Sequence, residues 1–142
     1  MKPEADQILM FSGLKLAAEY APQIPTQYGQ GMAQVVAALM FMSAQEYDRA
    51  ADIRVSENID IRALFKLLGP QIADANLRRD LETAAAARED SLRISALNAS
   101  NEYLRKVLIR LHTYLDETDA DTKPVWDVLK AMAARRTLTL PG

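Results

Sequence analysis

Apolar residues recur along this chain at spacings of three and four, the period of a helix rather than the alternation of a strand. The clearest run is ISALNASNEYLRKVLIRLHTYL, residues 94 to 115, whose stripe comprises Ile94, Leu97, Asn101, Leu104, Leu108, Leu111 and Leu115. Ala, Leu, Glu, Arg and Gln dominate elsewhere, and β-branched residues come mostly as singletons inside helical periodicity, so the pattern predicts an all-α fold.

Proline and glycine punctuate that pattern. A first helix is expected from about Pro3 to Tyr20, ended by APQIPTQYGQG with its two prolines and two glycines. A second runs from about residue 28 to Leu68, where Gly69 offers a left-handed stop and Pro70 cannot continue a helix. A third starts at Asp74 or Asn76, either able to accept from first-turn amides, and its stripe persists to about residue 116. DETDADTKP then reads as a polar turn. A fourth helix follows over about 122–136, with Thr122 or Asp121 as cap, Pro124 in its first turn and Val125, Leu129 and Met132 on its inner edge. The chain continues as TLTLPG, where Leu138 and Leu140 alternate as in an extended segment.

Together these elements predict an antiparallel helical bundle built on a long hairpin, about 28–68 against 74–116, with two shorter helices at about 3–20 and 122–136. Each hairpin arm would be about 60 Å long at 1.5 Å per residue. The shorter helices would pack near the open end, leaving the closed end at Pro70 with two helices and marginal stability. Either the second helix breaks near Ser56 to Asn58 and folds back, or a second copy covers the exposed part.

A chain of 142 residues is the size of one domain. Seventeen Lys and Arg against nineteen Asp and Glu give a net charge of -2 with no basic half. Arg105, Lys106 and Arg110 are too few for a phosphate-backbone surface, so no nucleic-acid partner is expected. With no cysteine, disulfides, thiolate nucleophiles and Cys-ligated metals are excluded. Glu4 and Asp6 stand where a signal peptide needs positive charge, and the apolar run Met32 to Ala44 is shorter than the roughly 20 residues that span a bilayer. The expectation is a cytoplasmic protein without a membrane partner.

Catalytic constellations are missing. A carboxylate-bridged di-iron bundle wants Glu-x-x-His on two helices, but the one histidine, His112, follows Ile109 by three. It reads as a half-exposed residue beside the stripe. The acid pairs Asp48/Asp52 and Glu89/Asp90 have arginines nearby and read as solvated faces laced with ion pairs. GQGM at 29–32 has neither the spacing nor the preceding strand of a phosphate loop. No enzyme, cofactor or metal is expected.

What remains is interaction. Met32, Met40 and Met42 put flexible thioethers on one stretch of helix, suited to varied apolar partners, and Leu138 and Leu140 could serve as a partner-binding tail. Asn101 occupies a coiled-coil a position, with Ile94, Leu108 and Leu115, where a single amide sets register at some cost in stability. Buried and unpaired it would cost about 1 to 3 kcal/mol, so a polar partner is expected. Replacement by leucine would then raise the melting temperature while loosening the assembly.

LNASNEYL, residues 97 to 104, resembles the Leu-Asn-x-x-Asn-x-x-Leu pattern of FlgN-type flagellar export chaperones, with Leu97, Asn98, Asn101 and Leu104 at the matching positions. The resemblance implies an elongated helical protein that holds export-bound subunits by their amphipathic terminal helices. This chain departs from that family in its proline-initiated last helix with Trp126 and in lacking a long polar tail. The expected function is a non-catalytic helical interaction protein, chaperone-like or scaffolding, that binds an amphipathic helix or its own copy, with a dimer favoured. The alternative is a bundle that binds an apolar small molecule, with Met32, Met40, Met42, Phe41 and Trp126 lining a cavity.

Overall fold

A computed structural model describes residues 2–139. Five α-helices account for it, with no strand among the described residues: α1 (Ala5–Lys15), α2 (Gln27–Leu68), α3 (Ala75–Ala86), α4 (Ile94–Glu117) and α5 (Lys123–Arg135). The all-α expectation therefore holds. The chain divides into two compact units, one formed by residues 1–50 and 138–142 and the other by residues 51–137.

In the first unit α1 passes through a single π-helical turn, Leu16–Tyr20, and a 3-10 turn, Ala21–Gln23, before α2 begins. Thr26 starts α2: its hydroxyl accepts from the Gly29 amide at 3.1 Å, satisfying one of the free first-turn donors. α1 lies against α2 through small residues. A Cβ on Gly13 would meet the Ala37 carbonyl at 3.2 Å and the side chains of Met40 and Phe41 at 3.3 Å, so glycine there sets the close approach. Ala33, Ala37 and Ala44 are the buried face of α2 opposite it. Leu138 and Thr139 join this unit: the Gln45 side chain accepts from the Thr139 amide at 3.1 Å and donates back to its carbonyl.

The second unit is a four-helix bundle of residues 51–68 of α2 with α3, α4 and α5. Ile61, Leu64, Phe65 and Leu68 pack with Leu77 and Leu81 of α3, Leu104, Leu108, Leu111 and Leu115 of α4, and Val125 and Met132 of α5. Arg110 pairs with Asp80, and the Tyr114 hydroxyl accepts from the Ala73 amide, so α3 and α4 run antiparallel. Arg135 pairs with Asp60, and Arg136 with Glu57, so α5 runs back along α2. The order is up-down-up-down, the connectivity that short loops favour.

Three expectations are corrected. The third predicted helix, 74–116, is two helices, because residues 87–93 leave the helical path and turn the chain. Glu89 swings inward to bond Asn58, Arg62 and Ser100, and the Ser91 hydroxyl accepts from the Arg93 amide. The long hairpin is consequently absent: α4 lies parallel to α2, as the pairs Arg54–Asn98 and Asn58–Asn101 require. Four helices, not two, surround the end near Pro70, since the fold-back sits at 87–93; α2 itself continues unbroken through Ser56–Asn58. Finally, Gly69 is not left-handed. No glycine has positive φ among the described residues, and Pro70, which lacks an amide and crowds the preceding turn, stops α2 in a 3-10 turn.

Of the paired cap candidates, Asp74 caps α3, whereas at α5 the cap position is Thr122 and the bonding side chain is that of Asp121 just before it. Asp74 accepts from the amides of Asn76 and Leu77 at 2.8 Å each, and Asp121 accepts from the Lys123 amide at 2.9 Å, whereas Thr122 makes no capping bond with its side chain. α4 ends with Asp119 at φ 50°, and the Ala120 amide reaches back to the Leu115 carbonyl at 2.9 Å, a left-handed stop made by aspartate instead of glycine.

Candidate functional site

Two features stand apart from an ordinary helical core: an apolar surface on the first unit and a polar layer inside the second.

The surface follows from helices that are apolar on more than one side. Gly13 of α1 and Ala17 of the following π-turn lie against α2, Leu9 and Leu16 are half-buried, and Ile8, Met10, Phe11 and Leu14 are exposed. A helix apolar all round is normally covered all round. Residues 27–50 of α2 repeat the arrangement. Its alanine face is buried, and Tyr28, Met32, Val35, Val36, Leu39 and Tyr47 follow helical spacing on a second, exposed stripe. Tyr28 is 80% exposed and Leu39 56%, although both are large apolar side chains. At 1.5 Å per residue the stripe is about 30 Å long. Lys15 lies 5.6 Å from the Phe11 ring centre and shields part of it.

The polar layer crosses the second unit at the level of Asn101. Glu57 and Asn58 are fully buried on α2, with Arg62 one turn on. Arg136 grips the Glu57 carboxylate at two points, 2.7 and 2.8 Å. The Asn101 amide donates to Glu57 at 3.2 Å and to the Asn58 carbonyl at 2.8 Å. Asn58 donates to Glu89 at 2.8 Å, and Arg62 links Glu89 at 2.6 Å with the Ser100 hydroxyl at 3.0 Å. Burial alone would raise the Glu89 carboxyl, but the bonds from Arg62, Asn58 and Ser100 outweigh it and hold it below the usual glutamate range. Charges in a dry interior are tolerated because each meets an opposite charge or a donor. Glu57 is sealed from solvent, while Arg62 and Glu89 at the other end of the layer border a recess of about 700 Å³ with Val55, Ile59 and Lys66.

The predicted partner-binding residues fall in different places. Met32 is exposed on the outer stripe of α2, while Met40 and Met42 are half-buried, Met40 beside Gly13. Asn98 is exposed and accepts from Arg54, and Asn101 is buried in the polar layer, so their amides meet neighbours of the same unit. Leu138 is half-buried next to the Thr139–Gln45 contact, and Leu140 lies outside the described residues. The structure thus brings Met32 to a surface with Val35, Val36 and Leu39, residues whose dense apolar run predicts burial on several sides but which are exposed. Glu89, read as part of a solvated face, is a mostly buried ligand of Arg62. A signal existed: Glu57 and Asn58 fall on the spacing of Ile53, Ile61, Leu64 and Phe65, polar residues on an apolar stripe as Asn101 is.

His112 is half-buried, with Nε2 3.8 Å from Asp116 and its ring edge-on to Trp126 at 5.4 Å. Among the described residues no group of three or more His, Asp or Glu is placed to hold a metal ion, and no helix is long and apolar enough to cross a membrane. At the Pro70 end of the second unit lies a cleft of about 490 Å³ whose lining is partly apolar, Leu67, Leu68, Ile72 and Pro124, and partly polar, Gln71 and Asp121.

The class this defines is an up-down-up-down helical bundle with an internal ionic layer, joined in sequence to a two-helix unit with uncovered apolar sides. Beyond that class, the chain matches no family model, no curated protein and no solved structure.

Proposed function

We propose that the chain is a non-catalytic helical interaction protein, chaperone-like or scaffolding, that joins an amphipathic helix or its own copy through the outer side of the first unit. The observation that carries this reading is the exposed stripe Tyr28, Met32, Val35, Val36, Leu39 and Tyr47, on a helix whose other face is already packed against α1. Large contiguous apolar surface is rare on a protein that has no partner, and an i, i+3, i+4, i+7 stripe is the geometry of helix-in-groove recognition. The cytoplasm is the proposed compartment. Titrating a labelled Leu/Glu/Lys amphipathic helix of about three heptads tests the reading: saturable binding, lost in Val36→Asp, is expected, and no binding alongside no self-association would refute it.

A second reading, apolar small-molecule binding, is supported by the cleft beside Tyr114 and Pro124, whose size lies within the range of ligand pockets. Of the five side chains the sequence suggests for such a cavity, Met32 and Trp126 are each about half exposed, and Met40, Phe41 and Met42 are half-buried. Native mass spectrometry of the purified protein distinguishes the two readings: a co-purifying ligand favours the cleft, a helix-bound or dimeric species the stripe.

A further inference from the structure

We infer that the occupant of the outer stripe of α2 is a second copy of this chain, packed stripe to stripe. The inference rests on the interaction reading above and commits it to one partner. Three observations carry it.

The first is charge. No charged residue occurs between Glu19 and Glu46, so neither the stripe nor its flanks along residues 27–45 offers an ion-pairing rim. A foreign amphipathic helix brings charged flanks that would lose water and find no partner along residues 27–45, whereas a second copy brings none over that length. The second is area. The six large side chains of the stripe are some half exposed; at on the order of 100 Å² each they amount to roughly 600 Å² per copy. That is the upper end of the largest apolar patch on a typical monomer, and two copies together would bury about 1,200 Å², the lower end for a specific protein interface. The third is symmetry. A single helical stripe, most dense from Tyr28 to Leu39, can meet its own copy across a two-fold axis, the commonest arrangement of homo-oligomers.

The chain has no cysteine, which makes the contact directly readable. Sedimentation equilibrium of the full chain at micromolar concentration is expected to give twice the 15.8 kDa chain mass. Val36→Asp with Leu39→Asp should weaken association by roughly 100-fold or more, because each copy would bury unpaired carboxylates. Single cysteines at Met32, Val36 and Leu39, oxidised in turn, should yield disulfide-linked dimers from at least one position, while Glu102→Cys, exposed on α4, should yield none. These cysteine variants keep the apolar character of the stripe and so remain informative if the double aspartate variant fails to fold. A dimer that survives the aspartates in folded protein, or that cross-links only through Glu102→Cys, would overturn the inference. A monomer at 100 μM would also overturn it, and titration of the amphipathic helix then separates the two ideas: binding leaves the interaction reading standing with another partner, and no binding ends both.

Discussion

The two units use the same helical periodicity to opposite ends. In the second unit each apolar stripe meets another: Leu104 and Leu111 are fully buried, Phe65 nearly so, and the polar residues that fall on the stripes find one another. In the first unit the buried positions are small, Gly13, Ala33, Ala37 and Ala44, and the large side chains face outward. A glycine and alanine seam permits close approach but removes little apolar surface, so it stabilises weakly at about 25 cal/mol per Å². The contrast is one of cores: the second unit buries large side chains even though Leu67, Leu92 and Ile109 stay exposed, and the first buries only small ones fully.

The sharpest break of this contrast is a pair of truncations. Phe65→Ala should cost the second unit about 3 to 5 kcal/mol, seen as a lowered midpoint in the fluorescence of Trp126, the single tryptophan, which lies in that unit. Leu39→Ala should leave that midpoint within about 0.5 kcal/mol and act on association instead. Equal destabilisation by the two would mean that the units are not energetically distinct.

Next in size is the polar layer. Arg136→Ala strips Glu57 of its cation while the carboxylate stays fully buried, and a loss of about 3 kcal/mol is expected in chemical denaturation. Asn101→Leu should cost about 1 to 3 kcal/mol, since it leaves the Asn58 carbonyl without its donor and Glu57 with Arg136 alone. This reverses the rise in melting temperature that the heptad pattern suggests, because Asn101 bonds to a carboxylate and an amide of its own chain.

Acid should probe the same layer more gently. The Glu89 carboxyl is held below its ordinary value in the folded protein, so its contribution is complete above about pH 4.5 and is lost as the pH falls through the lower folded value. Thermal midpoints of the wild type should drop over that acid range, and those of Glu89→Gln should be lower at neutral pH and drop less. Parallel pH profiles would remove Glu89 from the account.

The smallest effects compare two glycines. Gly69 has negative φ, and a Cβ there would meet the Leu81 Cβ at an ordinary 3.8 Å but also the ring of Pro70 next in the chain. In Gly69→Ala a chain-entropy gain of about 0.4 to 1 kcal/mol is offset by that crowding, so the midpoint should barely move. Gly13→Ala presses on the Ala37 backbone carbonyl at 3.2 Å and should loosen α1, detected as faster amide exchange in residues 5–15.

Much of this architecture was legible before any coordinates. Helical class, the cap at Asp74, the Asp121 side chain bonding just before α5, the proline in the first turn of α5 and its inward Val125 and Met132 follow from local chemistry: spacing of apolar residues, side chains that accept from free amides, a ring that forbids continuation. Those interactions span a few residues, so a linear sequence contains them whole. The demand that a buried Asn101 meet a polar group was also legible, from the cost of leaving an amide dry.

Which group it meets was not. The break at 87–93 was hidden because ARED carries no proline or glycine, and nothing local forbids a helix there. It opens because Glu89 gains Arg62, Asn58 and Ser100 only when α3 and α4 are antiparallel, a reward that exists in the folded unit alone. The same long-range exchange joins Glu57 to Arg136 across 79 positions, and it decides that α5 closes the bundle near Pro70. The sequence determined which stretches are helical and which faces are apolar, since these are sums of short-range preferences. Only the tertiary structure decided which stripes close on one another and which stay at the surface, because burial and ion pairing depend on partners far apart in the chain.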